Sequence, residues 1–272
     1  MNVVRSKLTS TSTYYQGRWD KKKTYIIGEQ AVTLSVNGEA WLTFMCTPSD
    51  LRELAIGFLF NEEIIQDTSE VTSVWVCPSG DNIDVWLNHA VQKPEKWIRT
   101  SGCSGGKTSV GKSSLQQNSM LRSQNGSMLA AKKIGDLIEA LTEVQALYKQ
   151  SGGVHTSALS DGEKILIVAE DIGRHNTLDK LAGHCLLEQI HPIKKVILTT
   201  GRISSEMIQK AARMGAVVVI SRTSPSSLSV QMAEKFGVTL IGYARRDRFT
   251  VYAHAERILS ITLAEKMTSE AA

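Results

Sequence analysis

The stretch Lys164–Ile190, KILIVAEDIGRHNTLDKLAGHCLLEQI, decides the fold. Residues 165–169, after Lys164, are a continuous apolar run, and the residues from Asn176 onward have the spacing of a helix. The same order recurs downstream, where the runs KVILTT, AVVVI and VTLIGY alternate with the helical stretches SSEMIQKAARMG and PSSLSVQMAEKFG. Short apolar strands that alternate with helices are typical of a mostly parallel sheet covered by helices on both faces. We therefore predict an α/β domain over residues 128–272, opened by a helix from Ile134 to Tyr148.

In a sheet of this kind, ligands bind in the loops that follow the carboxyl ends of the strands. These loops read EDIGRHN, TGRISSE, SRTSPSS and GYARRDR. Arg174 could bind a phosphate through paired hydrogen bonds, and His175 could titrate near neutral pH. Gly201, Arg202 and Ser204 repeat this composition after the next strand, and converging arginines and helix N-termini favour an anionic ligand. The alternative is that EDIGRHN is a salt-bridged turn that only caps its own helix.

The first part of the chain predicts a different unit. Residues 1–23 are polar and basic, which predicts a mobile tail. Residues 24–98 predict a small α+β unit, in which Asn37-Gly38 joins two β-rich runs as a hairpin. Thr47 could cap the helix that follows, and the runs VTSVWVC and NIDVWL then form two further strands.

Residues 99–127 have neither the helical nor the strand periodicity of apolar residues, which predicts a flexible loop. Cys103 lies in this loop between glycines, with Lys107 close by. A nearby ammonium group lowers the pKa of a thiol, and the thiolate is the reactive form, so Cys103 is the candidate catalytic residue. An incidental surface cysteine is the alternative. The other cysteines fall in apolar strands or in an apolar helix, which predicts inert core residues: Cys46, Cys77 and Cys185.

Two motifs match known sites without the surroundings that those sites need. GKTSVGKS, residues 106–113, matches the phosphate loop G-x-x-x-x-G-K-[ST], but neither a buried strand nor a convincing helix flanks it. His254-Ala255-Glu256 matches the H-x-E of zinc deaminases, but no P-C-x-x-C follows to complete a metal site. We therefore predict neither nucleotide hydrolysis nor a dedicated metal site.

The composition is that of an ordinary globular chain, with 42% hydrophobic residues and a net charge of +4. No apolar run is long enough to span a bilayer, and the N-terminus lacks the apolar segment of a secretory signal. We therefore expect a cytoplasmic protein with neither a membrane nor a nucleic-acid partner. The arginines around Arg245, Arg246 and Arg248 instead favour an anionic partner at a local site.

Four segments together resemble a known family. EDIGRHNTLDKLAG, TGRISSEMIQKAARMG, SRTSPSSLSVQMAEKFGVTLIGYARRDRFTVYAHAERI and the earlier GGVHTSAL resemble the formate dehydrogenase accessory sulfurtransferases, the FdhD family. The likeness extends from about Glu29 to Ile258 and is dense in the second half. The motifs are long and specific, so chance does not explain the resemblance.

The resemblance implies a cytidine-deaminase-like α/β domain without zinc, in a protein that forms a homodimer. It implies that Cys103 accepts sulfur from a cysteine desulfurase as a persulfide. The sulfur would pass to bis(molybdopterin guanine dinucleotide), the molybdenum cofactor of formate dehydrogenase, which is cargo here. The phosphates of this cofactor would account for the arginines and helix N-termini at the edge of the sheet. The family's cofactor-binding stretch corresponds to Tyr243, Ala244, Arg245, Arg246, Asp247 and Arg248.

The sequence departs from the family pattern at one point. The family often has a second cysteine in a C-x-x-C, whereas this chain reads Cys103-Ser104-Gly105-Gly106. Sulfur transfer needs one thiolate, so it can survive the change, but a disulfide within the loop cannot form. Two other functions stay open: an insertion chaperone that binds the molybdenum cofactor without transferring sulfur, and a nucleotidase, which only GKTSVGKS supports.

Overall fold

The computed structural model describes residues 4–94, 97–99, 107–109 and 128–259. These residues form a mixed α/β fold with two main sheets, one of four strands and one of six. No helix within the described ranges is long and apolar enough to cross a membrane.

A two-stranded ribbon opens the described chain. Strands β1 (Ser6–Tyr15) and β2 (Arg18–Ile27) pair antiparallel along their whole length. The turn between them has positive φ at both central residues, 48° at Gln16 and 83° at Gly17, as a two-residue hairpin turn requires. Residues 1–23, which the sequence predicts to be a mobile tail, thus include paired strand residues from Ser6 onward. Threonines and aromatic residues, which have β propensity, outweigh the polar composition here.

The small N-terminal unit is built on a four-stranded sheet. Its strands are β3 (Gln30–Val36), β4 (Glu39–Cys46), β5 (Val71–Val76) and β6 (Asn82–Leu87), in the spatial order β4-β3-β6-β5. The turn between β3 and β4 is at Asn37 and Gly38, with φ of 49° and 82°, which confirms the predicted hairpin. One face of the sheet packs against helix α1 (Leu51–Asn61) and forms a core of aliphatic and aromatic residues.

Helix α1 begins differently from the prediction. Its N-cap is Asp50, whose side chain makes no capping hydrogen bond. Thr47 was predicted to cap the helix, and this is wrong. Its hydroxyl accepts a hydrogen bond from the backbone N–H of Ile172, 3.2 Å away. Thr47 therefore joins the N-terminal unit to the loop EDIGRHN.

The second sheet is mixed. Its strands are β10 (His155–Ser160), β11 (Ile165–Asp171), β12 (Val196–Thr199), β13 (Val218–Ser221), β14 (Thr239–Gly242) and β15 (Thr250–Ala253), in the order β11-β10-β12-β13-β14-β15. Only β12-β13 and β13-β14 are parallel neighbours, and the other three pairs are antiparallel. The prediction of a mostly parallel sheet is therefore wrong. β10, which has no continuous apolar run, inserts antiparallel between β11 and β12, and β15 pairs antiparallel with β14 at the edge.

Helices cover both faces of this sheet, as predicted. One face packs against α4 (Arg174–Leu187), α5 (Ser205–Arg213) and α6 (Ser227–Phe236). The other face packs against α2 (Ala131–Glu143). The helix predicted from Ile134 to Tyr148 is two helices, because the chain breaks at Val144 and Gln145 before α3 (Ala146–Ser151).

Two short strand pairs complete the description. β7 (Trp97–Arg99) pairs antiparallel with β8 (Lys107–Ser109), and β9 (Leu129–Ala130) pairs parallel with β16 (Ile258–Leu259). The remaining residues of the predicted loop over 99–127 lie outside the described residues.

Helices α1 and α4 cross at backbone contact and join the two parts of the molecule. A Cβ atom on Gly57 would lie 1.7 Å from the carbonyl oxygen of Asp179, and one on Gly183 would lie 2.0 Å from that of Glu53. Each helix therefore presents a glycine to the other's backbone. This contact fixes the N-terminal unit against the helix that follows EDIGRHN.

Candidate functional site

Four strands of the second sheet deliver their loops to one edge. β11 and β12 are both antiparallel to β10, and β13 and β14 run parallel to β12, so all four share a direction. Their carboxyl ends therefore meet at the same edge of the sheet. Hydrogen bonds link the loops there: Ser221 Oγ donates to the carbonyl of Gly201 at 2.8 Å, and the N–H of Tyr243 donates to the carbonyl of Thr223 at 3.0 Å.

A cleft of about 420 Å³ opens at this edge. Its volume lies in the range that small-molecule ligands occupy. The lining comes from α3, the start of β10 and the loops after β11, β12, β13 and β14, and consists of Gln145, Tyr148, Gly152, Gly153, Val154, His155, Ile172, Thr200, Arg222, Thr223 and Arg245. Each polar side chain among these can donate a hydrogen bond, and none is acidic, which suits an anion.

Two arginines give the cleft its charge. Arg245 is held by two hydrogen bonds of 2.8 Å from its Nη1, to the carbonyl oxygens of Arg222 and Ala244. The half-buried Arg222 guanidinium makes no hydrogen bond or ion pair with another side chain within the described ranges. Arg222 therefore has donors available for an anionic ligand, and Arg245 shapes the loop that positions them.

His155 is a neutral group beside these charges. Burial, and then the guanidinium groups of Arg174 and Arg202, lower the pKa of His155 below its usual value of 6.5. The imidazole is therefore neutral at pH 7, with one nitrogen able to donate and the other to accept a hydrogen bond. A neutral imidazole in a cationic cleft can exchange a proton with a bound ligand.

Arg174 and Gly201 lie next to each other beside His155. Arg174 is buried in the first turn of α4. A Cβ atom on Gly201 would lie 2.9 Å from the Cβ of Arg174 and 3.5 Å from Nδ1 of His155. The absence of a side chain at Gly201 therefore lets Arg174 and His155 approach the loop after β12.

His175 does not line the cleft. Its Nε2 lies 3.2 Å from the hydroxyl of Ser204 and 3.9 Å from a carboxylate oxygen of Glu206. Burial, and then the charges of Lys210 and Arg174, lower the pKa of His175 to about 3. The prediction that His175 titrates near neutral pH is therefore not supported. His175 and Ser204 instead tie the start of α4 to the start of α5.

The two carboxylates of EDIGRHN are structural. Glu170 accepts hydrogen bonds from the backbone N–H groups of Leu147 and Tyr148, at 2.7 and 3.0 Å, and so caps α3. Asp171 forms a fully buried ion pair with Lys180 at 2.7 Å. The salt-bridged alternative from the sequence therefore applies to Asp171, whereas Glu170 caps α3 and not the helix that follows its own loop. Arg174 is not part of the cleft lining.

The stretch Tyr243–Arg248 divides between two surfaces. Tyr243, Arg245 and Arg248 line a second, smaller pocket of about 330 Å³ that adjoins the cleft through Arg245. Arg246 forms an ion pair of 2.9 Å with Glu139 on α2. The other two residues differ in exposure, Ala244 being buried and Asp247 exposed. The predicted cofactor-binding stretch thus contributes Arg245 to the cleft and directs Arg246 elsewhere.

Two of the three described cysteines are poor nucleophiles. Burial, and then Asp171, raise the pKa of Cys46 to about 12, and burial raises the pKa of Cys185 to about 11. Both are core residues, as predicted. Cys77 is not: it follows β5 in a turn, is half-buried, and its thiol donates to Asp81 at 2.8 Å.

Cys103, the predicted catalytic residue, lies outside the described residues. Of the motif GKTSVGKS, only Lys107–Ser109 are described, and they form β8. A phosphate loop places these positions in a turn that wraps the phosphate, not in a paired strand. Among the described residues, no group of three His, Cys, Asp or Glu side chains is arranged to hold a metal ion.

The sequence reasoning missed several residues of the cleft. His155 stood in the quoted segment GGVHTSAL, and Arg222 and Thr223 stood in the quoted loop SRTSPSS, but none was assigned a role. The signal for Arg222 was its position directly after an apolar strand. No sequence feature indicated that His155 lies at this edge, because the antiparallel pairing of the strand that it begins cannot be predicted from the local sequence.

Comparison with known proteins identifies the class of this protein. The model of the FdhD/NarQ family matches residues 27–259. The chain belongs to the FdhD/NarQ family, which confirms the resemblance seen in the sequence. The match begins at Ile27, the last residue of β2.

Individual relatives agree over nearly the full length. The sulfur carrier protein FdhD of Bacillus subtilis (strain 168) is 36% identical over 262 residues, covering 95% of this chain and 99% of the relative. The sulfur carrier protein FdhD of Bacillus pumilus (strain SAFR-032) is 33% identical over 274 residues, with the same coverage. The crystal structure of a candidate formate dehydrogenase accessory protein from Desulfotalea psychrophila is 27% identical, with a TM-score of 0.75, and the match covers 94% of this chain and 100% of that one.

Proposed function

We propose that this protein is a sulfur carrier in the maturation of formate dehydrogenase. In this proposal Cys103 accepts sulfur from a cysteine desulfurase and delivers it to bis(molybdopterin guanine dinucleotide), the molybdenum cofactor. The cofactor is cargo and binds at the cationic cleft of the second sheet. Sulfur carriers among the relatives support the role, and the cleft supports the anionic cargo.

The proposal rests on the difference in reactivity between the cysteines. A thiol with a pKa of about 11 or 12 is almost entirely protonated at neutral pH, so Cys46 and Cys185 are unsuited to attack a persulfide. The Cys77 thiol is engaged with Asp81. Cys103 is the remaining cysteine, and its neighbours in sequence are glycines, serines and Lys107.

The chemistry requires one thiolate and two transfers. The Cys103 thiolate attacks the terminal sulfur of the desulfurase persulfide. The S–S bond of that persulfide breaks, its electron pair stays on the desulfurase cysteine, and Cys103 becomes the persulfide. In the second transfer the terminal sulfur leaves Cys103 as a neutral atom, and the bonding pair returns to the Cys103 sulfur. The acceptor metal supplies the two electrons that make the transferred sulfur a sulfide.

The residues of the cleft would hold and orient the cargo. Arg222 and Arg245 would pair with its phosphates, and Thr200 and Thr223 would add hydroxyl donors. His155, being neutral, would donate or accept a proton near the bound cargo.

We also retain the proposals of a cytidine-deaminase-like sheet without zinc, a cytoplasmic location and a homodimer.

The test is mass spectrometry of the protein after incubation with a cysteine desulfurase and cysteine. We expect a gain of one sulfur atom, located on the peptide that contains Cys103. Cys103→Ser should abolish the gain, and Cys185→Ser, the matched control, should keep it. Sulfur on Cys46, Cys77 or Cys185 in the Cys103→Ser protein would contradict the assignment. Cofactor binding with no sulfur gain in the unaltered protein would favour the insertion chaperone instead.

A further inference from the structure

The β1-β2 ribbon is a projecting arm with an aromatic tip. Tyr14 and Trp19 face each other across the ribbon with ring centroids 5.3 Å apart, yet they are 60% and 72% exposed. Every residue from Ser12 to Lys23 is exposed, so neither face of the outer half of the ribbon packs on the other described residues. An isolated two-stranded ribbon is only marginally stable in water. Its aromatic tip therefore indicates a surface that becomes covered on docking.

The strand register separates the ribbon into two different faces. Tyr14 pairs with Trp19, Ser12 with Lys21 and Ser10 with Lys23, so these six side chains share one face. That face, the aromatic face, combines apolar area with two positive charges and has no acidic group. The opposite face of the ribbon includes Lys7, Thr9, Thr11, Thr13, Tyr15, Arg18, Asp20, Lys22, Thr24 and Ile26.

The N-terminal sheet has a face of matching character that the described residues leave exposed. Its inner face is covered by α1, whereas Trp75 and Trp86 project from the outer face and are 53% and 49% exposed. Asp84 lies opposite Trp75 across the β5-β6 pair and two residues before Trp86 on the same face. The outer face therefore presents a carboxylate between two tryptophans.

The charges of these two segments are opposite. Residues 6–27 contain five basic and one acidic side chain, for a formal charge of +4. Residues 28–94 contain ten acidic and two basic side chains, for a formal charge of −8. Because the outer half of the ribbon is exposed, its charge is not neutralised by its own N-terminal unit. A second copy of the chain offers the complementary surface.

We propose that the aromatic face of the ribbon docks onto the outer face of the N-terminal sheet of a second copy. The spacing matches, because Trp19 and Lys21 are two residues apart on one strand, as Trp86 and Asp84 are on the other. The contact is reciprocal, so each copy donates one ribbon and accepts one. Eight half-exposed aromatic side chains of about 150–250 Å² each then bury on the order of 1,000 Å² in total, near the lower limit of a specific interface.

The test uses the full chain in two isotopic forms. Equal amounts of unlabelled and ¹⁵N-labelled protein are mixed and cross-linked with a carbodiimide, which joins a lysine to a carboxylate that it touches. We expect mass spectrometry to find mixed-isotope peptide pairs that join Lys21 or Lys23 to Asp84. Sedimentation should show association that strengthens with protein concentration and weakens with salt.

Charge-reversal variants on the two faces of the ribbon test whether the aromatic face forms the contact. Lys21→Glu with Lys23→Glu should raise the dissociation constant about tenfold or more, because both arms lose their charge pairs. The matched control, Lys7→Glu with Lys22→Glu, makes the same charge change on the opposite face and should have a much smaller effect. Combining Lys21→Glu with Asp84→Lys should restore part of the association.

Three results would overturn the proposal. They are a monomer at all concentrations, a dimer equally sensitive to the two double variants, and cross-links of Lys21 and Lys23 only within one copy. If Asp84→Lys fails to fold, the ribbon variants still decide, because the side chains that they change are exposed. A ribbon that binds a different acidic protein would give the first result.

Discussion

Asp171 and Lys180 form an ion pair of 2.7 Å in which both side chains are fully buried. The ammonium group of Lys180 also donates to the carbonyl of Thr47 at 3.1 Å and to that of Glu170 at 3.3 Å. Asp171 accepts a hydrogen bond of 3.1 Å from the N–H of Thr47. The pair therefore joins the end of β11, helix α4 and the segment before α1, and it fixes the loop that leads into the cleft.

Removing the cation of this pair should be strongly destabilising. Lys180→Met leaves the Asp171 carboxylate buried without its partner, which costs about 3–5 kcal/mol in comparable cases. The free energy of unfolding in urea measures the loss. Lys133→Met is the matched control, since Lys133 pairs with Glu163 on the surface and should contribute little. Equal losses in the two variants would contradict the structural role of the buried pair.

Gly57→Ala should destabilise the protein, against the usual trend. In an ordinary helix interior this change stabilises by about 0.5–1 kcal/mol. Here the added Cβ would lie 1.7 Å from the carbonyl oxygen of Asp179, so α1 and α4 must move apart, at a cost of about 1–3 kcal/mol. The midpoint of urea unfolding gives the sign directly. A variant more stable than the unaltered protein would show that the two helices do not cross at backbone contact.

His175 should make the protein lose stability as the pH falls. Its pKa in the folded protein is about 3, below its ordinary value of 6.5. Between these values the unfolded chain binds a proton that the folded chain does not, so its contribution to stability is full above pH 6.5 and declines at lower pH. The slope from one such group is about 1.4 kcal/mol per pH unit. Urea unfolding of His175→Gln over this range should give a curve shallower by about that slope, and an identical slope would contradict the burial of a neutral imidazole.

The strands of the second sheet and the helices that cover it could be predicted because each has a characteristic local pattern of apolar residues. KILIVA, KVILTT, AVVVI and VTLIGY are all strands, and the helices between them are where the sequence indicates. The neighbours in the sheet could not be predicted in the same way. β10, HTSALS, has no continuous apolar run, and its pairing with β11 and β12 depends on contacts between distant residues.

The loops of the site were predicted more successfully than their side chains. The loops converge because four strands share a direction, which the pattern of strands and helices implies. The direction of each side chain depends on tertiary contacts: His175 turns towards Ser204, and Arg246 towards Glu139. His155 enters the cleft from a strand of opposite direction, which no motif marked.

The anionic cargo proposed for the cleft gives the last prediction. GDP carries the guanine and two phosphates of the cofactor and should bind weakly but saturably in isothermal titration calorimetry. Arg222→Ala should weaken binding about tenfold or more, because a charge-assisted hydrogen bond to phosphate contributes about 1.5–3 kcal/mol. Arg245→Ala should weaken it similarly, by removing a charge and by freeing the loop that Arg245 holds to the carbonyl of Arg222.

Arg246→Ala is the matched control for this measurement. It removes the same charge as Arg245→Ala, from the same loop, but the Arg246 guanidinium lies 2.9 Å from Glu139 on α2 and is not part of the cleft lining. We therefore expect a smaller loss of affinity than for Arg222→Ala. Added salt should weaken GDP binding to the unaltered protein, since part of the attraction is screened. Equal losses in all three variants would indicate a diffuse basic surface, and unchanged affinity in Arg222→Ala would remove this cleft from the cargo site.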